Sequence, residues 1–290
     1  MSEVVVEAAP HVARARQALA RHALGLPGLA ILGLFFVAPL LRLVSLSARR
    51  PSGAFTLFYY REVLTGHVYH VTFLRSITAA VVLLAISLPA GYAYALALAR
   101  RGRWLRFAGL AVAALPLLLN ALVVSFVWLV IIQRNGALNW LIRHLDLGSV
   151  DLYQTRTGAL LGMEYVVLPL VIFPIFAAVS AVDPKIYDAA RVLGARSSTI
   201  FFRVTLPLTL NGAAAGAVLV FVTTFGIYLI PEILGGPQYT MLPYLIQQDA
   251  TQYLEWHLAS AIAVLFLVGA VPLLVLAQYL LGRTVRMRPR

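Results

Sequence analysis

Nucleophiles, acid–base pairs, metal-ligand sets and phosphate cradles are the usual means of protein chemistry, and this sequence offers few of them. It has no cysteine, which excludes disulfides, zinc–thiolate sites, iron–sulfur clusters and cysteine nucleophiles. Its six histidines are scattered. Scattered histidines are ordinarily structural, so no metal site is expected. A nucleotide-binding loop needs Gly-x-x-x-x-Gly-Lys-Ser/Thr. The single lysine, Lys185, follows a proline instead. The chain therefore has no phosphate-binding loop of that type. Gly-x-Ser-x-Gly and His-Glu-x-x-His are absent as well, and the eleven carboxylates form no pair in a catalytic setting. The expectation is a protein that is not an enzyme. What remains is a small set of polar groups in or beside long apolar runs: Asn120, Glu164, Tyr228 and Glu232. A polar group held inside such a run is by default a functional candidate.

The elements that hold those groups follow from composition. The chain has 290 residues, 61% hydrophobic and 12% charged, against about 45–50% and about 25% in soluble domains. A helix crosses a bilayer core with about 20 apolar residues. Six stretches qualify: 24–47, 72–99, 107–132, 158–180, 208–231 and 258–281. The fold class is therefore all-α, a six-helix transmembrane unit over 24–281 with an N-terminal tail 1–23 and a basic C-terminal tail 282–290. Pro39, Pro89, Pro116, Pro169, Pro174 and Pro272 lie in or near these spans, where membrane helices tolerate them. The first span is too long for a signal-peptide core and is expected to stay uncleaved.

With six spans both tails share one side. That side carries Arg14, Arg16 and Arg21; Arg100, Arg101, Arg103 and Arg106; Lys185, Arg191, Arg196 and Arg203; and Arg283, Arg286, Arg288 and Arg290. The other side holds the remaining eight arginines, Arg49 and Arg50 among them. The positive-inside tendency places both tails in the cytoplasm. It also explains the net charge of +12 better than nucleic acid does, since no basic face accompanies a nucleic-acid fold. In this topology Glu164 lies inside the fourth span near the external side. It is read either as lining a route for a cationic solute or as an interfacial partner of Arg156. Asn120 lies mid-span and is read as bridging helices more readily than touching solute. Tyr228 and Glu232 flank the outer end of the fifth span, as candidates for an external gate or as structural groups. Gly212 and Gly216 read as a close-packing pair. The external loops have little of their own to bury.

The longest cytoplasmic connection, 181–207, is patterned. Asp183 can cap a helix and Pro184 suits its first position. Ile186, Ala190 and Leu193 recur at helical spacing, and Gly194 suits a C-terminal stop. Ser197 or Ser198 can cap a second short helix carrying Ile200, Phe201 and Val204, which Pro207 is expected to interrupt. An apolar face outside the membrane must be covered. It packs either on its own bundle and lipid or on a partner.

The run Asp188-Ala189-Ala190-Arg191-Val192-Leu193-Gly194, then nine residues, then Val204-Thr205-Leu206-Pro207 resembles the signature loop of ABC importer permeases. That pattern is Glu-Ala-Ala, three residues, Gly, nine residues, Ile-x-Leu-Pro. Asp188 and Val204 are conservative departures. Asn135-Gly136-Ala137-Leu138-Asn139-Trp140-Leu141 and Ile230-Pro231-Glu232-Ile233-Leu234-Gly235-Gly236-Pro237 resemble segments of the spermidine/putrescine-type permeases. The resemblance implies the type I importer architecture in a bacterial inner membrane. It also implies a coupling helix docked on a separate ATPase through Lys185, Asp188, Ala189, Ala190, Arg191, Gly194, Val204, Leu206 and Pro207. Two ATPase copies would hold ATP and Mg, so that this chain needs no cofactor of its own. A second permease, an external solute-binding protein and membrane lipid would be the other partners. Polyamines or related compounds are the implied solutes. The competing readings are an ion-gradient-driven secondary transporter, which would need an internal repeat or paired broken helices, and a non-transporting scaffold.

Overall fold

The computed structural model describes Gly28 and residues 31–286. The tail 1–23, the start of the first span and the final basic residues, Arg288 and Arg290 among them, lie outside the described residues. The described chain is helical, with a single bridge pair, Arg49–Phe55, outside the helices. In order the helices are α1 (Gly33–Ser47), α2 (Phe58–Thr65), α3 (His67–Ala99), α4 (Arg103–Leu118), α5 (Ala121–Ile132) and α6 (Ala137–His144). Then follow α7 (Arg156–Ser180), α8 (Pro184–Val192), α9 (Ser197–Gly226), α10 (Leu229–Gly235), α11 (Leu242–Thr251) and α12 (Trp256–Arg286).

Among the described residues, four stretches are long and apolar enough to cross a membrane: α3, Ala121–His144, α7 and α9. Gly33–Ser47 and Trp256–Pro272 are shorter apolar helices. Between α3 and α7 the chain departs from the expected single span over 107–132. It is split into a 16-residue and a 12-residue helix. Pro116 removes a backbone donor near the end of α4, Leu119 and Asn120 turn extended, and the Asn120 side chain caps α5. Pro207 gives the opposite correction. It does not interrupt a helix, because α9 runs unbroken through it. A π-turn at Phe201–Thr205, with the Leu206 N–H donating to the Phe201 carbonyl, precedes the proline. One extra residue in the turn accommodates a ring that would clash with the carbonyl four residues back. The same device, a π-turn at Gly33–Val37, stands ahead of Pro39.

Helix α7 is the axis of the bundle and packs on α3, α4, α5, α9 and α10. The main core joins Leu83 of α3, Val124 of α5, Met163, Val167 and Val171 of α7, Val220 of α9 and Leu234 of α10. At the α7–α9 crossing the backbones nearly touch. A Cβ on Gly212 would lie 2.5 Å from the Pro174 carbonyl oxygen, and one on Gly216 would lie 3.0 Å from the Val171 Cα. The expected close-packing pair is therefore present. Helices α1, α2, α11 and α12 form an outer layer with its own core of Val63, Leu242 and Ile262. Large apolar side chains such as Phe35, Phe107 and Leu118 face outward, as a bundle solvated by lipid requires. The segment between α9 and α12 buries more than its sequence indicates. Ile230, Leu234, Tyr239, Met241 and Leu242 are all buried.

Candidate functional site

Two groups of candidate residues sit at different levels of the bundle. The first is the loop between α7 and α9. Asp183 accepts the Lys185 backbone N–H at 2.9 Å, and Pro184 opens α8. Helix α8 stops in a Schellman motif. Gly194 adopts φ +76°, the Gly194 N–H donates to the Arg191 carbonyl, and the Ala195 N–H donates to the Ala190 carbonyl. Arg196 takes the position before the next helix, without a side-chain cap. The expected cap from Ser197 or Ser198 is therefore absent, and Ser197 is instead the first residue of α9.

The tip of this loop is open. Lys185, Asp188, Ala189, Arg191 and Gly194 are exposed, and Ala190 is half-buried. Val192 and Leu193 are 87% and 86% exposed, a heavy apolar display for a segment with charged neighbours. Asp188 pairs with Arg191 at 3.2 Å, both groups largely in solvent, where such a pair adds little stability. Val204, Leu206 and Pro207 are not at the tip. They are half-buried where the loop enters the bundle, and Leu206 packs against the main core. One joint there escaped the sequence reading. The Tyr92 hydroxyl of α3 lies 3.1 Å from the Thr209 hydroxyl of α9, and its ring meets Phe201 edge-on at 5.8 Å. A tyrosine deep in an apolar span is its only trace in the sequence.

The second group lies within the bundle and toward the opposite end. The Ser87 hydroxyl of α3 donates to Glu164 Oε1 at 2.8 Å, while Oε2 is buried without a partner. Arg156 is not the partner of Glu164. Its guanidinium lies 6.0 Å over the Tyr239 ring. Asn120 is exposed and accepts the Leu122 N–H at 2.9 Å. It caps a helix rather than bridging two. Tyr228 and Glu232 sit at the start of α10 and are half-buried. One Glu232 carboxylate oxygen is buried without a partner. Nearby, burial and the Glu255 and Glu62 carboxylates push the pKa of Asp249 on α11 above the usual carboxylate range.

Residues 87–287 match the family described as "Binding-protein-dependent transport system inner membrane component". The spermidine/putrescine transport system permease protein PotB of Haemophilus influenzae is 29% identical over 62% of this chain and 63% of its own length. The chain thus spans a little under two thirds of that relative. PotB of Escherichia coli is 27% identical over 72% of this chain and 77% of its own. The crystal structure of a bacterial alginate ABC transporter in complex with alginate pentasaccharide-bound periplasmic protein contains a chain of the same fold. It has a TM-score of 0.75 and 17% identity, over 93% of this chain and 96% of that one. Helical bundle and matched family agree: this chain belongs to the binding-protein-dependent transport system inner membrane components.

Proposed function

We propose that the chain is the permease of an ATP-driven importer that takes up a small solute, a polyamine or related compound, through coupling to a separate ATPase at residues 183–207. The observation that carries this reading is the loop itself. Helix α8 is capped at both ends and displays Val192 and Leu193 to solvent. It is followed by a helix continuous from Ser197 to Gly226. A rigid helix pushed at its end moves as a lever. The Tyr92–Thr209 contact passes that motion on to α3. Two ATPase copies bind ATP and Mg, a second permease completes the path, and an external binding protein delivers the solute. Both termini are cytoplasmic, with 1–23 and 282–290 as tails flanking the unit 24–281. Glu164, Asn120, Tyr228 and Glu232 are the proposed pathway residues, with Glu164 foremost because it keeps an unpartnered carboxylate oxygen inside the bundle.

Co-purification tests the coupling assignment. An ATPase retained by the native chain is lost when Gly194→Pro and Ala190→Glu are combined, while membrane insertion is unchanged. If the ATPase stays bound at native stoichiometry, the loop is not the docking surface. The partner's bound solute, read by mass spectrometry of the captured external binding protein, decides the polyamine assignment.

A further inference from the structure

Behind the coupling loop, on the side turned toward the bundle, lies a cleft of about 640 Å³. It is walled by the ends of α3 and α7, the start of α4, the inner face of α8 and the first turns of α9. Its charged lining is of one sign. Arg100, Arg106 and Arg191 contribute to it and no Asp or Glu lines it, although Arg191 also pairs with Asp188 at 3.2 Å on the exposed side of α8. Arg106 is not a loose interfacial side chain. Its Nη2 donates to the carbonyls of Ala99 and Arg101, each at 3.2 Å, while its Nε is buried without a partner. The hydroxyl of Tyr187, on the wall formed by α8, is likewise buried and unpartnered. Ser197 and Ser198 add hydroxyls at the mouth.

Guanidinium groups repel one another unless an anion lies between them, and their planar donors fit phosphate oxygens in pairs. A buried donor without a partner costs free energy that an oxyanion would recover. The volume falls in the range of small-ligand sites, about 300–1,000 Å³, and exceeds what a bare ion fills. We infer that this cleft binds a phosphate-bearing ligand through Arg100, Arg106 and Arg191, with Tyr187, Ser197 and Ser198 as hydroxyl partners, behind the loop proposed to couple to the ATPase. The phosphate comes either from a lipid headgroup or from a free phosphate compound. In either case the ligand wedges α8 against the bundle and holds it in one position.

The full-length chain in neutral detergent is titrated with inorganic phosphate at fixed ionic strength, and its thermal unfolding midpoint is followed. In a parallel arm phosphatidylglycerol or phosphatidylcholine is added to the micelles, and retained lipid is counted by native mass spectrometry. The inference expects a saturable rise in midpoint with phosphate, or with phosphatidylglycerol but not phosphatidylcholine. The first outcome identifies a free phosphate compound and the second a headgroup. Arg191→Gln should raise the half-saturating concentration about tenfold, the scale of one charge-assisted hydrogen bond. Ser198→Asp, which places a carboxylate at the mouth, should abolish saturation. Arg106→Gln also loses the contacts that close α3, so the two rim variants decide the matter. The inference is overturned if neither probe saturates, or if both rim variants respond like the native chain.

Discussion

Glu164 is a carboxylate inside a bundle, with one oxygen held by Ser87 and the other by nothing. An ionised side chain inside a membrane helix costs up to about 2.5–3.5 kcal/mol on insertion scales, the value at the helix centre. Such a group persists where something compensates, and Ser87 supplies only part of the compensation. The two residues are separable experimentally. Ser87→Ala strips Oε1 of its donor and should destabilise the chain by about 1–3 kcal/mol in unfolding. Glu164→Gln keeps an acceptor for Ser87 and discards the charge, so stability should hold or rise while uptake of a cationic solute falls. If Glu164→Gln instead unfolds as readily as Ser87→Ala and transport per folded molecule is unchanged, the carboxylate is structural. Glu164 was legible in the sequence as an acid in an apolar run. Its partner was not, because Ser87 lies 77 positions away and a serine in a membrane helix ordinarily satisfies itself on its own backbone. The same limit hid the Tyr92–Thr209 contact, 117 positions apart.

Among the elements, what was legible depended on which signal each one uses. Caps and stops are local, so Asp183, Pro184 and Gly194 could be read directly and all three act as their residue types dictate. Breaks inside apolar runs are not local. Lipid and core are equally apolar, so periodicity carries no contrast in 107–132, and Pro116 with Asn120 was the only mark of the turn at 119–120. Conversely, Pro207 looked like a stop but is absorbed by the π-turn ahead of it. Gly212 was legible because small residues spaced by four signal close helix approach, and here the structure supplies a magnitude. Any side chain at this position meets the Pro174 carbonyl and the Ala178 methyl. The first is backbone and cannot rotate away, so Gly212→Ala must push α9 off α7. Overpacking of this kind costs about 1–3 kcal/mol. Differential scanning of the purified chain should show a lowered unfolding midpoint. Gly226→Ala, with open space around its added methyl, is the matched control and should leave the midpoint nearly unchanged.

At the scale of the whole molecule, charge is distributed along the bundle axis. The loop end carries Lys185, Arg191, Arg196 and Arg203 beside Arg100 and Arg106. The segment 232–257 at the other end has Glu232, Asp249 and Glu255 and no lysine or arginine. Basic residues near membrane helix ends are retained on the cytoplasmic side, whereas acids influence orientation little. The loop end should therefore face the cytoplasm, despite Arg49 and Arg50 near the opposite end of α1. Because the chain has no cysteine, one introduced thiol reports one position without background. Gln238 is exposed in the turn before α11, and Ser198 is exposed at the start of α9. In spheroplasts, a membrane-impermeant maleimide should label Gln238→Cys at once and Ser198→Cys only after the membrane is opened. The reverse pattern would turn the bundle over. It would put α8 and its exposed Val192 and Leu193 on the side without ATP, and the coupling assignment would fail with the orientation. Equal labelling of both before lysis would mean leaky spheroplasts, which a cytoplasmic thiol protein monitored in the same sample detects.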